Sequence, residues 1–524
     1  MGIRKEKAIV ASFKNNTRPR FRQSVAGIVL LSVFAFLGLE RAPAATTHYI
    51  AANGSDSNDG MSKATPWLHL PGMRTCSSVC ASYIPAAGDQ FILRGGDSWT
   101  NANFPITWTW SGSSRSPIYI GVDHIWYSGG SWTRPVFNAG GVAVPGDRNH
   151  FIGFNSVIYV ALDDIEMTGI YWSGAPTYGA VGAITTWGSD YVTLENLYIH
   201  NWTHAIGGGT TDDNVYMVIG QTYPPFCGHC LLANSIIQDA DGGGNSGSAT
   251  YAWGGSIKNC IFHDLPNAIL EMDAGSAEIS GNLIFNITVS FGGIHENAIE
   301  SLGGSSGTLY IHDNVIHDVT AESMMLGNTG ETDYVWNNVF YNLRNGLGPS
   351  FPQNRGQSGM SLYFWNNTIA TSSVQNCFYW VSGFGGTFKT VAIQNTHCIT
   401  TGGLYNTGPT ATTLTVDHNV VQTPAAAAAQ GYSAAQTYAY SPTPLANATL
   451  AVGTIMCGVE LACNGPLGGL ISDTTYACTQ QTVKGDFQLV CPARTVVARP
   501  SHWDAGAYQH APPAAPTGLA GVAR

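Results

Sequence analysis

Residues 309–318 read LYIHDNVIHD and residues 333–342 read DYVWNNVFYN: a short apolar strand, an asparagine, then a second short apolar strand. Working outward, the pattern returns as YVTLENLYIHN (191–201), LLANSIIQD (231–239), SIKNCIFHD (256–264), AEISGNLIFN (277–286), LYFWNNTIAT (362–371), VAIQNTHCIT (391–400) and LTVDHNVVQT (414–423). The recurring amides are Asn196, Asn234, Asn259, Asn282, Asn314, Asn338, Asn367, Asn395 and Asn419. They span 223 residues, a mean period of about 28, which is in the range of solenoids and propellers.

Two residues after most of these asparagines stands a large apolar side chain: Ile261, Ile284, Ile316, Phe340, Ile369 and Val421. Three residues before stand Ile279, Ile311, Val335, Phe364 and Val416. Their neighbours are mixed or polar, which is the period of a strand with one buried face. An asparagine between two strands tolerates the left-handed backbone of a tight corner. Nine such corners stacked in a column would hydrogen-bond as a ladder. A propeller blade needs four strands and about 40 to 50 residues, and the Asn-Gly and Asp-Gly hairpin signals are rare here. The expected fold is therefore an all-β solenoid, a single-stranded parallel β-helix.

Beyond the repeats, HYIAANGSDSNDGMSKATPWLHL (48–70), GDQFILRGGDSW (88–99), SPIYIGVDH (116–124) and RPSHWDAGAYQH (499–510) complete a pattern. From about residue 48 to 510 the chain resembles secreted bacterial right-handed parallel β-helix proteins of the pectate-lyase-like superfamily. The resemblance implies a right-handed helix with an N-terminal cap and irregular C-terminal closing coils. It implies no one activity, because that superfamily includes lyases, glycoside hydrolases, epimerases, tailspikes and adhesins.

The N-terminus reads as an export signal. Arg4, Lys5, Lys7, Lys14, Arg18, Arg20 and Arg22 lead into an uncharged apolar run, Val25 to Leu39, too short to span a bilayer. Ala42-Pro43-Ala44 offers a small-residue cleavage site. The expected organisation is a signal peptide at 1–44, an opening strand and N-terminal cap at 45–90, and β-helix coils at 91–423. Irregular closing coils follow at 424–510 and a flexible tail at 511–524. Without residues 1–44 the chain holds 14 basic and 31 acidic side chains, a net charge of −17. That acidity argues against nucleic acid, whose binding rests on Lys and Arg meeting phosphates. The protein is expected as a monomer, secreted, periplasmic or at the cell surface, with no membrane contact once the signal is removed. Its expected partner is an extracellular polysaccharide.

Eleven cysteines in an exported chain imply disulfides with one thiol left over. Nearest-neighbour pairing gives Cys76–Cys80, Cys227–Cys230, Cys377–Cys398, Cys457–Cys463 and Cys478–Cys491, leaving Cys260. Cys227-Gly-His-Cys230 has the letters of a redox motif but no βαβ context, so a loop staple is favoured.

In β-helix enzymes of this superfamily the substrate lies along the sheet reached after the second strand past the corner. Here that sheet should hold 268–271, 297–300 and 323–326. If Ile299 faces the core, strict alternation turns Ala298 and Glu300 outward. Coils stack about 4.8 Å apart, so carboxylates on neighbouring coils would be roughly 5 to 10 Å apart, which covers both glycosidase geometries. Glu300, Glu322 and Asp273 are the catalytic candidates, against a solvated sheet face as the structural alternative. His295, Asn297, Arg344 and Arg355 are candidates for substrate contact. Asp239, Asp241, Asp212 and Asp213 form oxygen-rich loops suited to Ca²⁺, although no cofactor is required and the spacing matches no EF-hand. Eight tryptophans between Trp99 and Trp202 offer stacking surfaces for sugars, with packing under loops as the alternative.

Glycoside hydrolysis by paired carboxylates is favoured. A second reading is polyuronate β-elimination with Ca²⁺, using Arg344, Arg355 or Lys258. A third is a non-catalytic glycan-binding or surface structural protein.

Overall fold

The computed structural model describes residues 45–144, 150–172, 182–204, 216–220, 227–238, 248–270, 276–287, 297–301, 307–320, 322–326, 329–343, 359–371, 376–378, 387–406 and 408–429. Towards the C-terminus it describes 471–473, 479–483, 486–490, 496–498 and 505–507. The expected signal at 1–44, the tail at 511–524 and the pairings Cys457–Cys463 and Cys478–Cys491 lie outside the described residues.

Three long sheets, each with every strand pair parallel, run side by side along the chain. The first holds the strands before the asparagine corner, from Thr47–Ile50 to Ala411–Asp417, and the second those after it, from Ser98–Thr100 to Val420–Gln422. The third has eight strands, from Ile106–Trp108 to Glu322–Leu326. Successive coils add one strand to each sheet in turn, which makes a parallel β-helix. Among the described residues no helix is long and apolar enough to cross a membrane. A short helix, Pro424–Ala429, follows the last coil, where a run of alanines favours it. Two antiparallel pairs lie in 471–498.

The core is built from columns of like residues stacked rung over rung. In the first sheet Leu162, Leu194, Leu232, Ile257, Ile279, Ile311, Val335, Phe364 and Ile393 are in register. All nine belong to the core and are at most 1% exposed. Each such side chain contributes about 1.5–3 kcal/mol by leaving water.

The corner between the first and second sheets departs from the expected single column. Nine asparagines were assigned one corner position, but they occupy two adjacent ones. Asn196, Asn234, Asn259 and Asn395 have positive φ, as do Gly281, Asp313, Asn337 and Asn366 in the coils between. Asn282, Asn314, Asn338 and Asn367 stand one residue later and face inward, fully buried, and Asn419, after the positive-φ His418, takes the same place half-buried on the last coil. The inner set makes a continuous rung-to-rung ladder. Nδ2 of Asn282 donates to Oδ1 of Asn314, Asn314 to Asn338, and Asn338 to Asn367, each at 2.9 Å. Ile261 consequently packs outside the coil, and Val421, on the last coil, is 46% exposed.

A second column at the exit of the second sheet was not anticipated. His263, Phe285, His317 and Tyr341 stack ring on ring at 4.8, 5.1 and 4.5 Å. They are buried although they lie outside the coil. Phe285 and Tyr341 share an outer apolar cluster with Ala427 and Ala507, so the closing segment covers this face. Gly506 has φ +97°, and a Cβ there would meet Thr368 Oγ1 at 2.8 Å and His397 Cβ at 2.9 Å.

Candidate functional site

The third sheet breaks strict alternation, and that decides which side chains face out. Phe151 and Ile152 both belong to the core, as do Ala183 and Ile184, Met217 and Val218, Ala268 and Ile269, and Ala298 and Ile299. The backbone shows the cause: the N–H groups of Phe151 and Ile152 share one acceptor, Ala183 O, at 3.0 and 3.2 Å. One step of the strand is thereby used up, as at a bulge. The residues flanking each inward pair then share the outer face. A Cβ on Gly153 would lie 2.7 Å from His150 Nε2 and 3.2 Å from Thr185 Oγ1. The expectation that Ala298 turns outward is thus corrected, since Ala298 is fully buried in the core.

On this face Asn297 and Glu300 flank the pair Ala298-Ile299. Asn297 donates its backbone N–H to Asn267 Oδ1 on the preceding coil at 2.8 Å and its Nδ2 to Glu300 Oε2 at 2.5 Å. An amide N–H on a carboxylate oxygen favours the ionised form. Glu300 is 8% exposed and Asn297 fully buried, so Asn297 holds the carboxylate in place more than it meets a ligand. Ser301, the next inward residue, donates its hydroxyl to Glu331 Oε1 at 2.6 Å.

The next strand places Glu322 in register with Asn297, and Met325 in register with Glu300. Glu300 and Glu322 are therefore one rung and three residues apart, with Cα atoms on the order of 10 Å apart. They are the only acidic residues in the eight strands of the third sheet, and those strands contain neither Lys nor Arg. Further out along the face, Tyr216 and Tyr251 stack at 4.1 Å.

Asp273, His295, Arg344, Arg355, Asp212, Asp213, Asp239 and Asp241 lie outside the described residues. Lys258, the other cation considered for elimination, is on the first sheet and committed elsewhere, its Nζ 2.7 Å from Glu278 Oε2. His312 joins that network through Nε2 to Glu278 at 3.1 Å and Nδ1 to Asp313 at 2.7 Å. The His312 hydrogen bond, then Lys258 against the opposing effect of burial, holds Glu278 down at about 2. Burial pushes His312 down, but its bonds to Asp313 and Glu278 outweigh burial and raise it.

Three disulfides, Cys76–Cys80, Cys227–Cys230 and Cys377–Cys398, form as nearest-neighbour pairing anticipates, and Cys260 is free and buried. Asp190 lies with Cys227 and Cys230 in a cluster of metal-ligand size, but the disulfide leaves no thiolate to bind an ion. Of the N-terminal tryptophans, Trp99, Trp108 and Trp202 are core residues rather than sugar platforms.

Asn267 is the member of the site that the sequence reading missed. Its signal is the triplet Asn-Ala-Ile, which occurs at 267–269 and again at 297–299, in register across two coils.

No family model matches the chain, and no curated protein matches it. Solved structures similar to it include a lacto-N-biosidase from Eubacterium ramulus, 12% identical over 72% of this chain and 68% of that one, TM-score 0.42. A pectate lyase is 14% identical over 89% and 96%, TM-score 0.44. A rhamnogalacturonan lyase is 13% identical over 71% and 87%, TM-score 0.41. At these similarities the fold assignment rests on the sheet registers, and the activities named belong to those three proteins.

Proposed function

We propose that this parallel β-helix protein is an exported carbohydrate-active enzyme that hydrolyses glycosidic bonds of an extracellular polysaccharide along the outer face of its third sheet. One observation carries the reading: across its eight strands the third sheet carries two acidic residues, Glu300 and Glu322, on adjacent rungs, and no basic one. Glycosidic hydrolysis needs two carboxyl groups, one to protonate the leaving oxygen and one to act on water or on the anomeric carbon. Elimination from a uronate instead needs a base next to a neutralised acid, for which these strands supply no cation. Neutral sugars are the substrates such a face favours.

The hydrogen bond from Asn297 supports Glu300 as the ionised partner, the base. Glu322, whose backbone pairs with Asn297, is then the acid. A backbone separation on the order of 10 Å supports the wider, inverting arrangement, with a water between base and sugar.

The test incubates the protein with neutral and uronic polysaccharides, with and without chelator, following reducing ends and ultraviolet absorbance. Reducing ends without an absorbing product are expected. Glu300→Gln and Glu322→Gln should each lower the rate by about a hundredfold or more. Full activity in both variants overturns the assignment. An unsaturated, ultraviolet-absorbing product would establish elimination, and retention of polysaccharide without cleavage would establish a binding protein.

A further inference from the structure

In the first sheet, the column next to the one described above reads Ala277, Leu309, Asp333, Leu362, Val391. An aspartate thus stands where the coils on either side place leucine, and it is fully buried. Among the described residues no N–H or hydroxyl donor reaches either Asp333 oxygen. Two residues earlier, on the side of the strand that Asp333 shares by alternation, stands Glu331, also fully buried. Glu331 lies just before the strand, and its carbonyl accepts the backbone N–H of Ser361 at 2.8 Å. Its Oε1 accepts the hydroxyl of Ser301, whose only proton is spent there.

Two ionised carboxylates offer no hydrogen for a bond between them, so a carboxyl–carboxyl contact requires a proton on one. Two bare charges side by side in an apolar core would also repel. Its register neighbours Leu309 and Leu362 are apolar, and among the described residues the charge that acts on Asp333 is that of Glu331. We propose that Glu331 and Asp333 form a proton-dependent latch inside the solenoid. One shared proton ties the turn at Glu331 to the core and, through Ser301, to the strand that carries Asn297 and Glu300; losing that proton opens the tie. The latch does not depend on the catalytic reading.

Its direction with pH follows from the environment. Burial first, and the Glu331 charge second, push Asp333 well above the ordinary carboxylate range near 3.8. Below that ordinary value both folded and unfolded chains hold the proton. Above it the unfolded chain releases the proton while the folded one keeps it. Stability is therefore lost as pH rises, up to tenfold in the folding equilibrium per pH unit until the folded value is passed.

The experiment measures urea unfolding of the full chain between pH 5 and 9 for the native protein, Asp333→Asn and Asp333→Leu. Asparagine can donate to Glu331 without a proton to lose, and leucine restores the column. Both variants should show a shallower pH dependence than the native chain, by up to one proton. Equal slopes in the native protein and Asp333→Asn overturn the latch. Should Asp333→Leu fail to fold, infrared spectroscopy gives the second readout. A protonated-carboxyl carbonyl band at neutral pH is expected in the native protein and its loss in Asp333→Asn; no such band in the native protein overturns the proposal. A native pH slope that chelator abolishes also overturns it, since a cation would then be neutralising the pair.

Discussion

From Asn282 to Asn367 the inner side of the first corner carries an amide on every rung, whereas from Ile165 to Cys260 the same position holds Ile165, Leu197, Ser235 and Cys260. The backbone turns alike in both stretches. In the earlier coils Asp164, Asn196, Asn234 and Asn259 take the left-handed conformation, and in the later ones Gly281, Asp313, Asn337 and Asn366 do. The difference separates two jobs that the same residue type can do. The outer column bends the chain, which any residue tolerant of positive φ achieves. The inner column ties rungs together, which needs a side chain that donates and accepts at once. Cys260 marks the boundary. Its sulfur reaches Leu232 O at 3.7 Å, the place where Asn282 Nδ2 reaches Ile257 O at 3.0 Å one coil on. Burial pushes the Cys260 thiol up to about 12, so it behaves as a neutral filler.

Breaking the amide-rich half should have the largest effect. Asn338→Ala strands the Ile311 carbonyl and the Asn314 backbone N–H in the core and takes one bond from each neighbouring side-chain amide. A loss of roughly 3–5 kcal/mol is expected by chemical unfolding, since each buried group left without a partner costs about 1–3 kcal/mol. Ser235→Ala, the matching change in the amide-poor half, orphans mainly the Leu197 N–H and should cost about 1 kcal/mol. Equal costs would erase the distinction between the halves.

Cys260→Asn extends the ladder by one rung and should raise stability by about 1 kcal/mol, the net worth of a buried hydrogen bond. A destabilised Cys260→Asn would show that the ladder stops at Asn282 for want of space.

The smallest effect concerns the outer face of the amide-rich half. Glu278 is held down at about 2, so its stabilising share is full above pH 4.5 and fades as pH falls towards 2. Because its side chain is 34% exposed, solvent screening limits that share to under about 1 kcal/mol. Glu278→Gln should flatten the acid side of the stability profile and, by removing one of the two carboxylates that raise His312, also soften the loss above pH 6.5. His312, raised by its carboxylate partners, works in the opposite sense: its share is full below pH 6.5 and is lost as pH rises.

The apolar framework was legible because a stacked coil repeats its inward residues at a fixed offset from the corner, and Ile279, Ile311, Val335 and Phe364 keep that offset. Asp333 was legible too but passed over. Setting LYIHDN above DYVWNN and LYFWNN puts aspartate in the leucine position. The placement of Ala298 was not legible, because alternation puts neighbouring residues on opposite faces and the third sheet turns two in succession inward on several rungs.

By itself the sequence determined the repeat, the parallel β-helix, three of the disulfides and the presence of Glu300 and Glu322 on neighbouring rungs, because each follows from spacing along the chain. Only the tertiary structure decided which asparagines bend the corner and which tie the rungs, as residues one position apart differ there by the direction of the side chain alone. It also decided that Asn297 grips Glu300, that two acids, Glu331 and Asp333, are both buried in the core, and that the closing segment covers the second sheet. Those are contacts between atoms that spacing does not bring together, and only the stacked coils fix them.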